Sequence, residues 1–363
     1  MRIGVPREIK VQEYRVGLSP ASVAELVRRG HEVCVEAGAG TGIGFTDAMY
    51  QQAGASTVDT ATAFAAELVV KVKEPQPEEC VRLRAGQVLF TYLHLAADRR
   101  QAEALAASGV TAIAYETVVG PHGGLPLLSP MSEVAGRMSI QVGAWCLQRP
   151  NGGRGTLLGG VPGVQPGRVV ILGGGISGAN AAAMAVGMQA DVTILEKSVE
   201  RMRSLVDHFE GRARVLMASP EAIEEHVLHA DLVVGAVLIP GDITPNLVSR
   251  DLVRRMPDGA ALVDISIDQG GCFETSRPTS HDQPIFVEER VVHYCVTNMP
   301  GAVARTATMA LNNVTLPYVC ALAERGWEAA LSADAGFAQG LNVRHGAIVH
   351  PAVRHALGLT GAD

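Results

Sequence analysis

The segment of residues 168–196 constrains the fold more than any other part of the chain, because several structural signals follow one another in it. It reads RVVILGGGISGANAAAMAVGMQADVTILE. The first apolar run predicts a buried strand, the glycines a tight turn, the alanine-rich stretch a helix, and VTILE a second strand. Strands that alternate with helices indicate a parallel sheet covered on both faces.

The glycines of this turn match the spacing G-x-G-x-x-G at Gly173, Gly175 and Gly178. Gly173 permits the tight turn, Gly175 lets a pyrophosphate approach the backbone, and Gly178 lets the helix pack closely on the strand. The N-terminus of the following helix offers N–H groups and a partial positive charge to phosphates. With 40 glycines in the chain, a structural turn without a nucleotide is the alternative.

The strand after the glycine turn ends in Glu196, 18 residues beyond Gly178. A carboxylate at this point accepts hydrogen bonds from ribose hydroxyls and repels a 2′-phosphate. The segment therefore predicts a dinucleotide site that favours NAD over NADP. Lys197 and Arg201 lie nearby, and their positive charges weaken the preference for NAD over NADP.

The same alternation of strands and helices precedes the turn, in residues 1–127, and two long helices are predicted at 130–150 and 303–326, the second kinked at Pro317. We therefore predict an α/β fold of two Rossmann-like doubly wound parallel-sheet domains with a cleft between them. Residues 128–305 form the predicted NAD-binding domain. Residues 1–127, completed by 306–363, form the predicted substrate domain.

Composition excludes several classes of protein. A net charge of −7 argues against a nucleic-acid-binding surface, and no apolar stretch approaches the ~18 residues of a membrane span. The N-terminus lacks the apolar region of a signal peptide, so we expect a cytoplasmic protein. Six scattered cysteines without a CxxC pair predict buried thiols, neither disulfides nor a metal site.

Polar residues stand where strands of the first domain end. Lys73 follows VVKV, His94 follows FTYL, and Arg15 precedes the first helix. Because the carboxyl ends of parallel strands share one edge, these residues are expected to converge, and Asp268 ends a strand of the other domain. The loops AVLIPG, SIDQGG and NMPG end strands of that domain and suit the flanks of a nicotinamide.

Each of these residues also has a purely structural interpretation. Arg15 is equally suited to a solvated loop, and His94 to a satisfied core position. Lys73 is equally suited to a surface ion pair with Glu74, and Lys71, two residues earlier, is an alternative to Lys73. Asp268 lies in the same loop as Asp264, and Asp264 is the better placed of the two to be a buried group at the end of the strand.

Over nearly its whole length the chain resembles the alanine dehydrogenase family. The resemblance implies a reversible, NAD-dependent conversion of L-alanine to pyruvate and ammonia, small-molecule partners only, and a homohexamer. The segments that carry it are MRIGVPREIKVQEYRVGLSP, GHEVCVEAGAGTGIGFTD, VVKVKEP, LFTYLHLA, AIAYETV, PLLSPMSEVAGRMS, GGVPGVQPGRVVILGGGISG, LVVGAVLIPG, ALVDISIDQGGCFETSRPT and YCVTNMPG.

The resemblance also implies roles for individual residues. Arg15 and Lys73, the second lysine of KVKEP, match the substrate-binding pair, and His94 and Asp268 match the catalytic acid/base positions. The ribose acid is Glu196 where the family commonly has Asp. Positions that resemble cofactor contacts are Ser132, Gly173, Gly175, Gly178, Glu196, Arg201, Val237, Leu238, Ile265, Asp268 and Met299.

These residues predict a mechanism in which Arg15 binds the substrate carboxylate through two parallel hydrogen bonds and Lys73 assists. His94 would be the main acid/base for the proton transfers of deamination, with Asp268 sharing them. The alternatives are the NAD-binding subunit of a transhydrogenase, another amino-acid dehydrogenase such as a saccharopine dehydrogenase, and a non-catalytic NAD-binding regulator.

Overall fold

A computed structural model of the chain describes residues 1–237 and 244–359. The strands, in chain order, are β1 (Arg2–Val5), β2 (Glu32–Glu36), β3 (Ser56–Val58), β4 (Leu68–Val70), β5 (Val88–Thr91), β6 (Thr111–Ala114), β7 (Arg168–Leu172), β8 (Asp191–Glu196), β9 (Arg214–Met217), β10 (Leu232–Gly235), β11 (Ala261–Asp264), β12 (Ile285–Glu288), β13 (Val291–Tyr294), β14 (Leu341–Arg344) and β15 (Ala347–Ile348).

The α-helices alternate with these strands. They are, in chain order, α1 (Pro20–Arg28), α2 (Asp47–Gln52), α3 (Thr60–Phe64), α4 (Pro77–Cys80), α5 (Arg99–Ser108), α6 (Ser129–Cys146), α7 (Ile176–Gly187), α8 (Val199–Phe209), α9 (Pro220–Val227), α10 (Arg250–Arg255), α11 (Ala304–Ala333), α12 (Ala335–Ala338) and α13 (Pro351–Ala356).

The chain divides into two compact units. Met1–Met131 and Val303–Asp363 form unit 1, and Ser132–Ala302 form unit 2. The sequence analysis placed the corresponding boundaries at residues 127/128 and 305/306. Unit 1 is thus discontinuous in sequence, since the chain leaves it through α6 and returns to it with α11.

Unit 1 contains an eight-stranded sheet in the order β15-β14-β6-β5-β4-β1-β2-β3. The strands from β1 to β6 pair in parallel, whereas β14 pairs antiparallel with β6 and β15 pairs antiparallel with β14. Every residue of β4, β5 and β6 is buried, as expected for strands covered on both faces. The strand order reverses beside β1, so the carboxyl ends of β1, β4 and β5 lie next to one another.

Unit 2 contains a seven-stranded sheet in the order β12-β13-β11-β10-β7-β8-β9. All neighbours pair in parallel except β12 with β13. Strand β7 lies between β8 and β10, so the order reverses there. In open α/β sheets, ligands bind at the carboxyl ends of the strands that flank such a reversal. The prediction of two parallel-dominated, Rossmann-like α/β units is confirmed, with antiparallel strands added at the edges.

Local sequence signals explain where several helices begin and end. The Ser19 hydroxyl accepts a hydrogen bond from the Ser22 amide at the start of α1, and Thr46 caps α2 in the same way. Helix α6 ends at Cys146, before Pro150, so the predicted end was too late. The backbone of α11 leaves helical geometry at Gly326, which has φ 74°, and Pro317, the predicted kink, lies inside the helix.

All six cysteines are buried and unpaired. Among the described residues, no helix combines the length and the apolar character that crossing a membrane requires.

Candidate functional site

Arg15 is buried in unit 1, so the structure rejects the solvated-loop interpretation. Its side chain is 2% exposed and pairs with Glu13, with Nε–Oε1 at 2.7 Å and Nη2–Oε2 at 2.5 Å. Its Nη1 lies 3.2 Å from the sulfur of Met131. Burial opposes the charge, but the hydrogen bond and the charge of Glu13 prevail and raise the pKa of Arg15. The guanidinium is therefore fixed in place, with its Nε–Nη2 edge taken by Glu13.

Lys71 and Lys73 have different environments, although they lie only two residues apart. The Lys71 ammonium is fully buried between two carboxylates, 3.0 Å from Glu8 and 2.7 Å from Glu79. Burial alone would lower the pKa of Lys71, but the two carboxylates raise it. Lys71 thus belongs to a buried ion cluster and is unsuited to bind a substrate.

Lys73 is half-buried, and within residues 1–237 and 244–359 no hydrogen bond or ion pair holds its ammonium group. Burial lowers the pKa of Lys73, and the nearby positive charge of Arg15 lowers it further. The carboxylate of Glu8 accepts the backbone N–H groups of Val72 at 2.7 Å and Lys73 at 3.3 Å. Glu74 and Glu13 act on Lys73 only through their charge, without a direct ion pair among the described residues. Two neighbouring cations, one of them not held by a direct ion pair, form a site suited to a small carboxylate.

His94 follows β5 in a left-handed turn with φ 51° and ψ 33°. Its side chain is exposed, so the core interpretation is wrong. The ring stacks on that of Tyr92, with centroids 5.8 Å apart and planes at 11°. Tyr92 is itself fixed, because its hydroxyl donates to the Leu127 carbonyl at 2.6 Å. An exposed imidazole on a rigid aromatic ring is available for proton transfer.

The structure brings Arg15, Lys73 and His94 to neighbouring strand ends of unit 1, as predicted from the parallel order. Tyr92 supports one member of this group, because its ring stacks on that of His94. Sequence reasoning missed four supporting residues: Glu8, Glu13, Tyr92 and Met131. Their one sequence signal is proximity to the candidate residues or to a predicted strand end.

In unit 2, the glycines of the turn after β7 have the geometry that their spacing predicts. Gly173 has φ 94°, which a residue with a side chain rarely adopts. A Cβ on Gly178 would lie 1.8 Å from the Gly173 carbonyl oxygen, so α7 packs directly on the turn. A Cβ on Gly175 would meet nothing within 4 Å. Space is therefore open beside the backbone where a pyrophosphate was predicted.

The predicted ribose acid and its neighbour both contact this turn. One carboxylate oxygen of Glu196 accepts the Gly174 amide at 2.7 Å, and the other accepts the Lys197 and Ser198 amides. Arg201 donates from Nε to the Gly174 carbonyl at 2.6 Å. The carboxylate is thus oriented at the end of β8, next to the glycine turn.

Helix α6 lies against the same turn, since a Cβ on Gly136 would be 2.1 Å from the Ser177 carbonyl oxygen. Ser132 is one helical turn before Gly136 and shares its face. Val237 follows β10 beside Gly173, where a Cβ of the glycine would approach it to 3.0 Å. Ile265 follows β11 and Met299 follows β13, so these predicted contacts lie at successive strand ends. Leu238 lies outside the described residues.

The two aspartates after β11 have different environments. Asp264 is buried, and its carboxylate accepts from the Ser266 amide, the Cys272 amide and the Ser276 hydroxyl at 3.1, 2.8 and 2.6 Å. Burial raises the pKa of Asp264. Asp268 is exposed, in the short turn Ile267–Gln269. The hydrogen bonds of Asp264 thus stabilise the loop, and Asp268 is an exposed residue of the same loop.

The two sheets and the glycine turn place the chain among two-domain α/β proteins of the Rossmann type. Its sequence matches the models named "Alanine dehydrogenase/PNT, N-terminal domain" over residues 4–135 and "Alanine dehydrogenase/PNT, C-terminal domain" over residues 139–351. The chain belongs to this alanine dehydrogenase/PNT family. The predicted resemblance is therefore confirmed.

Individual relatives match over the full length. An alanine dehydrogenase of Halomonas elongata is 55% identical, over 99% of this chain and 97% of the relative. A solved structure named L-alanine dehydrogenase is similar with a TM-score of 0.97 and 54% identity, covering 99% of this chain and all of that one. A transhydrogenase of Sinorhizobium meliloti is similar with a TM-score of 0.83 and 25% identity, covering 97% and 100%.

Proposed function

We propose that the protein is an NAD-dependent L-alanine dehydrogenase, which converts L-alanine reversibly to pyruvate and ammonia. The observation that carries this proposal is the pair of neighbouring cations in unit 1: buried Arg15, and Lys73, whose ammonium group has no hydrogen bond or direct ion pair among the described residues. The full-length relatives named alanine dehydrogenase support the choice of substrate. The assignment of unit 1 to substrate and unit 2 to cofactor is part of the proposal.

In this proposal Lys73 donates directly to the carboxylate shared by alanine and pyruvate. The positive charge of Arg15, whose guanidinium is held by Glu13, attracts the same carboxylate. This modifies the arrangement predicted from sequence, in which Arg15 supplied both parallel hydrogen bonds. Each charged hydrogen bond contributes about 1.5–3 kcal/mol, so the two cations also select an acid over a neutral amine.

The residues of unit 2 fit a dinucleotide. The open side of Gly175 and the N-terminus of α7 suit the pyrophosphate, and Glu196 suits the ribose hydroxyls and disfavours a 2′-phosphate. The other residues proposed to line this site are Ser132, Arg201, Val237, Leu238, Ile265 and Met299. A dinucleotide held by these residues would supply the acceptor for the hydride that leaves the Cα of the amino acid.

Proton transfers are assigned to His94 and Asp268, the two exposed ionisable candidates. After hydride loss the substrate is an iminium. His94 takes a proton from the water that attacks the iminium carbon and gives it to the amine. The amine then leaves as ammonia while the carbonyl forms and the hydroxyl proton passes to His94. Asp268 binds the amino group or the water and shares the transfer.

The proposal includes a cytoplasmic homohexamer, a feature taken from the family resemblance. Analytical ultracentrifugation of the purified protein tests the hexamer, because a monomer of 38.1 kDa and a hexamer sediment very differently.

The proposed activity is tested by following NADH absorbance after mixing the protein with NAD and L-alanine at alkaline pH. We expect NADH formation with L-alanine, a weaker signal with bulkier amino acids, and a lower kcat/KM with NADP than with NAD. Lys73→Met and His94→Ala should each lose activity, whereas Arg28→Met, which removes an exposed cation of α1 paired with Glu25, is the matched control. Full activity of His94→Ala would overturn its role.

The likeness to a transhydrogenase favours a second candidate, a dinucleotide-binding part of such an enzyme. That function requires no site for an amino-acid carboxylate. If the protein bound NADH but formed none from L-alanine or from the bulkier amino acids, the transhydrogenase function would be favoured over the dehydrogenase.

A further inference from the structure

Glu116 contacts the backbone of the turn that carries His94, although it belongs to a different strand end. One oxygen of its carboxylate accepts the His94 amide at 2.6 Å, and both oxygens lie 3.2 Å from the Leu93 amide. Because the Glu116 carboxylate accepts from two successive N–H groups, it favours the backbone conformation in which both N–H groups point towards it.

That shape is one which His94 does not favour by itself. With φ 51° and ψ 33°, the residue adopts a left-handed conformation that is uncommon for residues other than glycine. It places the imidazole outward on the Tyr92 ring. An unfavourable backbone conformation persists only where its surroundings determine it, and such positions cluster at functional sites.

The carboxylate is itself held in place. Glu116 lies in the turn Tyr115–Thr117, whose first and last residues are both anchored. The Tyr115 hydroxyl donates to the Lys71 carbonyl at 3.0 Å, and the Thr117 hydroxyl accepts from the Asn342 amide group at 2.9 Å. On the other side, α13 packs against the turn Leu95–Ala97 that directly follows His94.

We propose that Glu116 is a positioning residue for the acid/base His94. Its carboxylate locks the turn after β5 in the left-handed conformation and thereby holds the imidazole where the substrate's water and amine react. The inference rests on the proposed function of His94, and it adds a residue which acts on catalysis without touching substrate. Catalysis is sensitive to such positioning, since a displacement of 1 Å can cost about 100-fold in rate.

The test compares Glu116→Ala and Glu116→Gln with wild-type enzyme, using Glu103→Gln as control because Glu103 is an exposed carboxylate of α5 in the same unit. We expect Glu116→Ala to lower kcat by about 10- to 100-fold, with little change in the KM for L-alanine. Glu116→Gln keeps an acceptor oxygen and should recover most of the loss. Glu103→Gln should behave as wild type.

Hydrogen–deuterium exchange of the full-length protein gives a readout independent of activity. Peptides covering residues 91–97 should exchange faster in Glu116→Ala, while peptides from unit 2 should be unchanged. Wild-type kcat in Glu116→Ala would overturn the inference, and so would a loss of kcat that merely follows the fraction of unfolded protein. If the wild-type enzyme itself formed no NADH from L-alanine, the proposed function would be wrong, and the catalytic role of Glu116 would be wrong as a consequence.

Discussion

The contrast between Lys71 and Lys73 leads to a prediction in which neighbouring lysines respond in opposite ways to the same substitution. In Lys71→Met, the carboxylates of Glu8 and Glu79 lose the cation between them, and their side chains are only 2% and 4% exposed. Removing one partner of a buried ion pair costs about 3–5 kcal/mol. At about 2–4 °C per kcal/mol for a unit of this size, the melting transition should fall by roughly 6–20 °C.

This loss should depend on pH in a definite direction. Burial already raises the pKa of Glu8, and Lys71 counteracts that effect. Without the lysine the pKa rises further, so the folded variant holds its proton more tightly than the unfolded chain does. The deficit of Lys71→Met should therefore shrink as pH falls and grow as pH rises.

Lys73→Met should behave differently, because burial and Arg15 lower the pKa of Lys73 and thus disfavour its charge in the folded protein. Its melting temperature should equal or exceed that of wild type. Its kcat/KM for L-alanine should fall by about 10- to 150-fold, the equivalent of one charged hydrogen bond. Differential scanning calorimetry from pH 5 to 9 and steady-state kinetics measure these effects. Equal destabilisation by both substitutions would refute the reasoning.

Two further predictions concern unit 2. Gly175→Ala should have the melting temperature of wild type, because the added Cβ meets nothing within 4 Å, but it should bind NADH at least about tenfold more weakly in a fluorescence titration. Gly178→Ala should instead lose about 1–3 kcal/mol of stability, because its Cβ would lie 1.8 Å from the Gly173 oxygen. Unaltered NADH affinity in Gly175→Ala would contradict the cofactor site. Burial lowers the pKa of His293 to about 4, so its contribution to stability is complete above pH 6.5 and is lost as pH falls towards 4. Urea unfolding should show wild type losing roughly 3 kcal/mol over that range relative to His293→Gln, and parallel curves would contradict this.

The sequence was sufficient to predict the elements whose signals are local. Ser19 and Pro20 mark the start of α1, and the three glycines with Glu196 mark the turn after β7. Strands β14 and β15 were missed because they are short, and they form only by tertiary pairing, β14 with β6 and β15 with β14. Antiparallel edge strands of this kind carry little periodic signal.

The sequence pointed to Arg15, Lys73 and His94, but not to the carboxylates that support them in unit 1. Lys73 and His94 stand out because they follow apolar strands, and Arg15 stands out because it precedes the first helix. Glu13 and Glu116 act through contacts that depend on how the chain folds, and Glu116 is 22 residues from the backbone N–H of His94 that it binds. Alternation in a strand could not separate Lys71 from Lys73, because only tertiary contacts with Glu8 and Glu79 distinguish them.

The discontinuity of unit 1 has a consequence for its synthesis on the ribosome. Unit 2 can fold as soon as it emerges, whereas β6 waits for its neighbour β14, which is made about 230 residues later. At about 5–20 residues per second, that delay lasts roughly 10–45 s. During it, the backbone of β6 is an open edge able to pair with another nascent chain. We therefore expect ribosome-bound intermediates arrested before residue 341 to be the species that chaperones bind and that aggregates when they are absent.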